Sequence, residues 1–216
     1  MHSECRFLGE ILTRPFQFCE PNDPGVARLL RIIWLPKLLR AVYAWYLRHI
    51  RCDPITADLV VGLSRKTSAQ HYTLVARREA YRARFHQAWS DSGVDFVLTV
   101  PNAMPALPLG GMKNSVASCG YSFLFNLLDY TAGVLPVTSV SAALDGLSSS
   151  FKAGLNNLNA VAQGAYRNYD AVAMHGLPVG VQVVGCRLEE EKVMEGMKVL
   201  ERLLIANGQG GKMLEV

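Results

Sequence analysis

Serine-based hydrolysis needs three things in one place: a hydroxyl, a base within hydrogen-bond reach to take its proton, and backbone N–H groups to receive the developing oxyanion. The run Ser148-Ser149-Ser150, with Lys152 close behind, is the first place to look. Its neighbours do not suit the task, because Phe151, Lys152 and Ala153 stand where glycines would let backbone amides converge. Gly110-Gly111 has no serine beside it, and neither Lys113 nor Lys152 sits in a recognisable motif. His49, His71, His86 and His175 are scattered, without the His-x-x-x-His spacing or carboxylate pairing that metal ligands or a catalytic dyad would show. No metal and no cofactor is expected. Asn126 and Asp129 are three apart and would share a helix face. With no nucleophile or base near them in sequence, their expected work is helix-end capping or hydrogen bonding.

The cysteines add no chemistry of their own. Cys5, Cys19, Cys52, Cys119 and Cys186 are odd in number and widely spaced, with no Cys-x-x-Cys pair, which suits neither a disulfide framework nor a structural zinc site. A reducing, intracellular setting is expected, cytoplasmic or peripheral to a membrane. The 216 residues are half apolar, enough for one sizeable core or a large part of a bigger one. No stretch reaches the roughly 18 uncharged apolar residues of a spanning helix. The net charge of +4 is concentrated: between Asp23 and Asp53 there is no acidic residue, while six lysines and arginines occur. These cations lack a nucleic-acid reading motif, so no nucleic-acid partner is expected.

The elements that must position these residues follow from periodicity. Residues 1 to 25 are irregular and broken by Pro15, Pro21, Pro24 and Gly25. From Val26 a helical pattern runs to Arg51, interrupted at Pro36. In its second piece Leu35, Leu38, Val42, Trp45 and His49 share one face, and Lys37, Arg40, Ala44, Arg48 and Arg51 another. This basic, aromatic, amphipathic segment (residues 35–51) fits either a membrane surface, with Trp45, Tyr43 and Tyr46 at the headgroup boundary, or burial of its apolar face in the protein body. A long polar helix is expected over 67–91, with Leu74, Tyr81, Phe85 and Trp89 near one stripe and a stop at Ser92-Gly93. Strands are expected at Val94–Val100, Val134–Val140 and Val179–Val184, with a helix over Gly120–Tyr130 and a last helix from Glu189 to about Ala206 that starts in three glutamates. Residues 141–170, rich in Ser, Asn, Ala and Gly, read as an excursion holding one weak helix. Alternating helices and strands make the chain α/β.

Three stretches in this order and spacing resemble amidase signature hydrolases. They are Asp95-Phe-Val-Leu-Thr-Val-Pro101, Tyr121-Ser-Phe-Leu-Phe-Asn-Leu-Leu-Asp-Tyr-Thr-Ala-Gly-Val-Leu-Pro-Val-Thr138, and Gly176-Leu-Pro-Val-Gly-Val-Gln-Val-Val-Gly185 followed by Arg187-Leu-Glu-Glu-Glu191. The run from Val183 to Glu191 resembles fungal acetamidase-like enzymes as well as it does fatty acid amide hydrolases, which leaves substrate size open. The resemblance implies the C-terminal part of the amidase signature fold, a mixed β-sheet covered by helices. The whole of 1–216 then makes one partial amidase domain, with cap-like basic helices over about 26–51 and an α/β core portion over about 94–206. The cap-like pair is similar to the membrane-binding cap of fatty acid amide hydrolases.

The resemblance also places Cys119 and Phe123 where these hydrolases have acyl-channel residues. Family enzymes use two serines from a Gly-Ser-Ser-Gly-Gly-type stretch, one of them in a cis peptide, and a lysine base, and those motifs are not in this sequence. The expected function is therefore that of a C-terminal fragment of an amide or fatty acid amide hydrolase, inactive alone. It would act on an amide substrate only if completed by the N-terminal half, and would self-associate through an exposed sheet edge. The rival expectation is a non-catalytic, membrane-associated or regulatory binding module derived from an amidase. Complementation by a separately encoded half is a third.

Overall fold

The computed structural model describes residues 24–64 and 66–208. The irregular opening expected for residues 1 to 25 lies, up to residue 23, outside the described residues. In chain order the elements are α1 (Pro24–Trp34), α2 (Lys37–His49), α3 (Pro54–Gly62), α4 (Ser68–Ser92), β1 (Val97–Thr99), the single turn α5 (Met112–Ser115), α6 (Gly120–Leu128), β2 (Ala132–Ser139), α7 (Ser149–Gly154), α8 (Ala160–Tyr166), β3 (Pro178–Val184) and α9 (Glu190–Ala206). They fall into two compact units. One combines the helices up to residue 65 with 107–117 and 153–168; the other holds 66–106, 118–152 and the chain from 169 onward.

In the first unit Pro36 separates α1 from α2, as its missing N–H requires. A helix absent from the expectations, α3, begins with Asp53 accepting the Thr56 amide at 3.0 Å and with proline in the first turn, a start signal present in the sequence. The small face of α2 is the one that packs: Ala44 and Leu47 close on Ala57 and Val60 of α3, with Ile32 and Tyr43 alongside. The larger apolar face points outward, leaving Leu38, Val42 and Trp45 exposed. Burial of that face in the protein body is therefore not what the first unit shows. Arg28 of α1 donates to the Lys113 carbonyl and to the Tyr43 hydroxyl. In the same unit Ser115 donates to the Gly164 carbonyl, and Asn168 donates to Ser115 Oγ and to the Gly111 carbonyl.

The second unit carries the sheet, in the order β1-β3-β2, with both pairings antiparallel. All three strands fall where the valine-rich runs place them, although β1 shrinks to three residues. Helix α9 covers one face: Val193 meets Gly185, Met197 meets Gly133, and Gly196 lies against the ring of Phe96. Helices α4 and α6 cover the other, where Trp89, Phe125, Leu128 and Val184 form a buried cluster flanked by Phe85, Val97, Leu124 and Tyr130. Only the C-terminal half of the α4 stripe is used. Trp89 is buried, whereas Leu74 and Tyr81 stay exposed. The helix is closed at its start by a reciprocal box between Thr67 and Gln70 and at its end by Gly93 at φ 65°. The excursion at 141–170 holds three short pieces rather than one: α7, a 3-10 turn at Leu155–Asn157, and α8. This arrangement is the α/β architecture expected from the sequence.

Candidate functional site

Cys119 and Phe123 lie one helical turn apart, at the N-cap position and in the second turn of α6. Together with Leu127 they form a single stripe, spaced four and eight residues, on the face opposite Phe125 and Leu128. Phe123 and Leu127 are about half exposed, at 51% and 46%, and Cys119 is half-buried. The helix is pinned at both ends. Ser122 Oγ donates to the Pro101 carbonyl at 2.8 Å, and Ala103 N–H reaches the Ser118 carbonyl at 3.4 Å. At the far end Asp129 adopts a left-handed conformation, and its carboxylate pairs with Arg82 at 3.1 Å and Arg187 at 2.9 Å. The Asn126/Asp129 pair is thus a helix terminus and an ion-pair anchor. The stripe itself has no titrating group apart from a thiol, so what it can offer is apolar contact.

The residues with hydrolytic potential do not join this stripe. Ser148 Oγ accepts the Phe151 amide and lies 3.0 Å from Ser150 Oγ, which makes it the start of α7. Lys152 borders an open cleft of about 320 Å³ with Tyr169, Asp170 and Ala171. The polar rim of that cleft is engaged in structure: Tyr169 donates to the Asp145 carbonyl, and Asp170 Oδ1 accepts from the amides of Val172 and Ala173. Gly110, at φ +79°, and Gly111 make a turn closed by Gly111 N–H on the Pro108 carbonyl. Lys113 is exposed there, and its carbonyl holds Arg28.

The histidines are dispersed, as their spacing implies. His49 lies beside the Trp45 ring and His71 beside Tyr72. His86 Nδ1 is 3.3 Å from the Tyr130 hydroxyl, and His175 Nδ1 accepts the Ala142 amide at 3.3 Å, 3.1 Å from the Val140 carbonyl. Among the described residues no group of His, Cys, Asp or Glu is placed to hold a metal ion. Burial, and then Glu189, pushes the Cys186 thiol above the ordinary cysteine range, which disfavours the thiolate. Burial likewise raises the Tyr130 hydroxyl, with Cys186 adding to the shift.

Two features escaped the sequence reading. One is the Arg82–Asp129–Arg187 bridge, whose members are far apart in sequence. The other is a pair of buried side-chain oxygens without a hydrogen-bond partner, Asn102 Oδ1 and Gln182 Oε1. Gln182 lies in the apolar run of β3, opposite Thr99 of β1 and Val134 of β2. A glutamine amid valines is the one signal that could have drawn attention to it.

Comparison with known proteins then gives a consistent answer. The family model described as Amidase matches residues 42–194. Fatty-acid amide hydrolase 1 of Sus scrofa is 31% identical over 188 residues, covering 87% of this chain and 31% of that protein. Acetamidase of Emericella nidulans is 42% identical over 85 residues, 39% of this chain and 15% of that protein. A solved structure of a fatty acid amide hydrolase superposes with a TM-score of 0.58 at 22% identity, covering 67% of this chain and 25% of the other, which shows the shared fold. The chain spans about a third of the Sus scrofa protein's length and less of the acetamidase's.

Proposed function

The chain belongs to the amidase family, and on that premise we propose that it forms a wall of the substrate channel of an amide hydrolase whose serines and lysine it does not itself carry. The observation behind this reading is the Cys119–Phe123–Leu127 stripe: an apolar helix face, anchored at both ends, left half open to solvent. Such a face favours an acyl chain over a polar substituent, since each methylene removed from water contributes about 0.8 kcal/mol. The chemistry of bond cleavage is assigned elsewhere because Ser148, at the head of the serine run that precedes Lys152, serves as a helix start. In this reading the chain alone is inactive, and amide hydrolysis appears when the catalytic portion is supplied.

Purified full-length chain, offered a short and a long acyl amide, is expected to release no ammonia and to take no label from a serine-reactive fluorophosphonate. Labelling of any serine would place an active site within the chain and overturn this assignment. Calorimetric titration with the long acyl amide tests the wall itself: Phe123→Ala should weaken binding, and an unchanged isotherm would remove Phe123 from it.

A second reading concerns the outward face of α2, where Leu38, Val42 and Trp45 are 57–76% exposed beside the cations of the same helix. That composition suits contact with an anionic lipid surface. No helix among the described residues is long and apolar enough to cross a membrane. Sedimentation with vesicles containing phosphatidylserine, compared with phosphatidylcholine alone, should show binding that Trp45→Ser reduces. Equal recovery with and without vesicles would end this reading.

A further inference from the structure

One ring nitrogen in the second unit faces two backbone groups with opposite demands. The Ala142 N–H donates to His175 Nδ1 at 3.3 Å, and the Val140 carbonyl lies 3.1 Å from the same atom. A bare nitrogen accepts from the amide and has nothing to give the carbonyl; a protonated one donates to the carbonyl and can no longer accept. The two backbone groups do not depend on the ring equally. The Val140 carbonyl already takes the Gly176 N–H at 2.9 Å, whereas among the described residues the ring is the partner of the Ala142 N–H. Neutral, with its hydrogen on Nε2, the imidazole satisfies Ala142. As imidazolium it must leave that amide and turn to Val140.

Ala142 belongs to the turn 141–146 that follows β2. The turn is closed on itself, with Ser141 N–H on Asp145 Oδ2 at 2.7 Å and Asp145 N–H on the Ser141 carbonyl at 2.9 Å. Two side chains tie it to the segment 169–176: His175 at Ala142, and Tyr169, whose hydroxyl donates to the Asp145 carbonyl at 2.7 Å. Both segments line the cleft of about 320 Å³, one through Ala142 and Gly146, the other through Tyr169 and Ala171. Of the two ties, only the one at Ala142 uses a side chain of the type that changes charge between about pH 5 and 8. The charged groups on the segments around the ring are Asp145, Asp170 and Lys152, and β2 and β3 bring none. Asp145 is taken up by Ser141, and Asp170 Oδ1 by the amides of Val172 and Ala173, while Lys152 borders the cleft. Neither carboxylate bonds to the ring, so the proton on Nδ1 is what decides between Ala142 and Val140.

We propose that His175 is a proton-operated latch on this cleft. With the ring neutral, the turn 141–146 is pinned at both Ala142 and Asp145. Protonation exchanges Ala142 for Val140, and the turn is then held to the segment 169–176 at Asp145 alone. The change stays local, because Val140 N–H still donates to the Leu177 carbonyl at 2.9 Å and Gly176 N–H to the Val140 carbonyl. Only a proton moves, from water to Nδ1. The cleft is closed on the alkaline side of the ring's own titration and opens at its Ala142 side on the acid side. This device does not depend on the channel-wall reading, since no residue of the α6 stripe takes part in it.

NMR of the full-length, nitrogen-labelled chain, followed from about pH 8 to about pH 5, reads both partners together. Ring nitrogen shifts report which nitrogen carries the proton, and amide hydrogen exchange, corrected for its intrinsic pH dependence, reports the hold on Ala142. The expected result is a neutral ring protonated at Nε2, and an Ala142 protection factor that falls about two- to tenfold with the same midpoint as the ring. The Gly176 amide should keep its protection throughout. His175→Asn sets an uncharged amide oxygen close to where Nδ1 lies, and should keep Ala142 protected with no pH dependence over this range. His175→Ala should leave Ala142 at the lower protection at every pH. Circular dichroism checks the fold of both variants, and H175N, which retains an acceptor, carries the test if H175A does not fold. A neutral ring with its hydrogen on Nδ1, Ala142 protection indifferent to the ring's titration, or a pH dependence that persists in H175N overturns the proposal.

Discussion

Replacing Gln182 with methionine should make this chain more stable, although it deletes a polar residue from the centre of the sheet. Gln182 is 4% exposed and its Oε1 has no hydrogen-bond partner. An amide oxygen taken from water without a partner costs about 1–3 kcal/mol. Methionine has nearly the same length, no branch and no polar demand, and near-isosteric swaps in a core cost less than about 1.5 kcal/mol. The difference favours the variant by about 1 kcal/mol, which in a chain of this size corresponds to about 2–4 °C in the melting midpoint. Urea and thermal unfolding of the full chain, followed by circular dichroism, measure it. A midpoint lower by the equivalent of about 1 kcal/mol or more would refute the reasoning, because it would mean that the Gln182 amide has a partner in solution and is part of a satisfied network.

Two further outcomes follow from the same packing. A methyl group added at Gly133 would collide with Met197 Sδ of α9, so Gly133→Ala should cost about 1–3 kcal/mol in urea unfolding; pairing it with Met197→Ala should recover part of that loss, and strict additivity would show that the two side chains do not meet. Burial and Glu189 raise the Cys186 thiol, so less of it is thiolate at any given pH. Its alkylation by iodoacetamide should therefore lag behind that of exposed Cys52 and catch up only as pH rises, followed by peptide mass spectrometry, whereas equal rates at neutral pH would contradict its burial.

Much of the fold was legible because the relevant signals are local. The stop at Gly93, the break at Pro36 and the three valine-rich strands all depend on residues within a few positions of one another. The helix Pro54–Gly62 had an equally local signal in Asp53-Pro54 and went unread. The candidate wall was half legible. A family resemblance puts Cys119 and Phe123 on it, but that Leu127 completes the stripe depends on which face of α6 is buried.

Sequence alone determined the α/β alternation, the amidase resemblance and the poor fit of Ser148–Ser150 to nucleophilic chemistry, since composition, caps and period are properties of neighbouring residues. Tertiary structure decided what required distant partners. Asp129 became an anchor because Arg82 and Arg187 converge on it from 47 and 58 positions away along the chain. Helix α2 turned its Ala44 and Leu47 inward because Ala57 and Val60 of α3 pack against them. Strands β1 and β2 both became edges because β3 lies between them, and strand order is set by long-range pairing that no local pattern encodes.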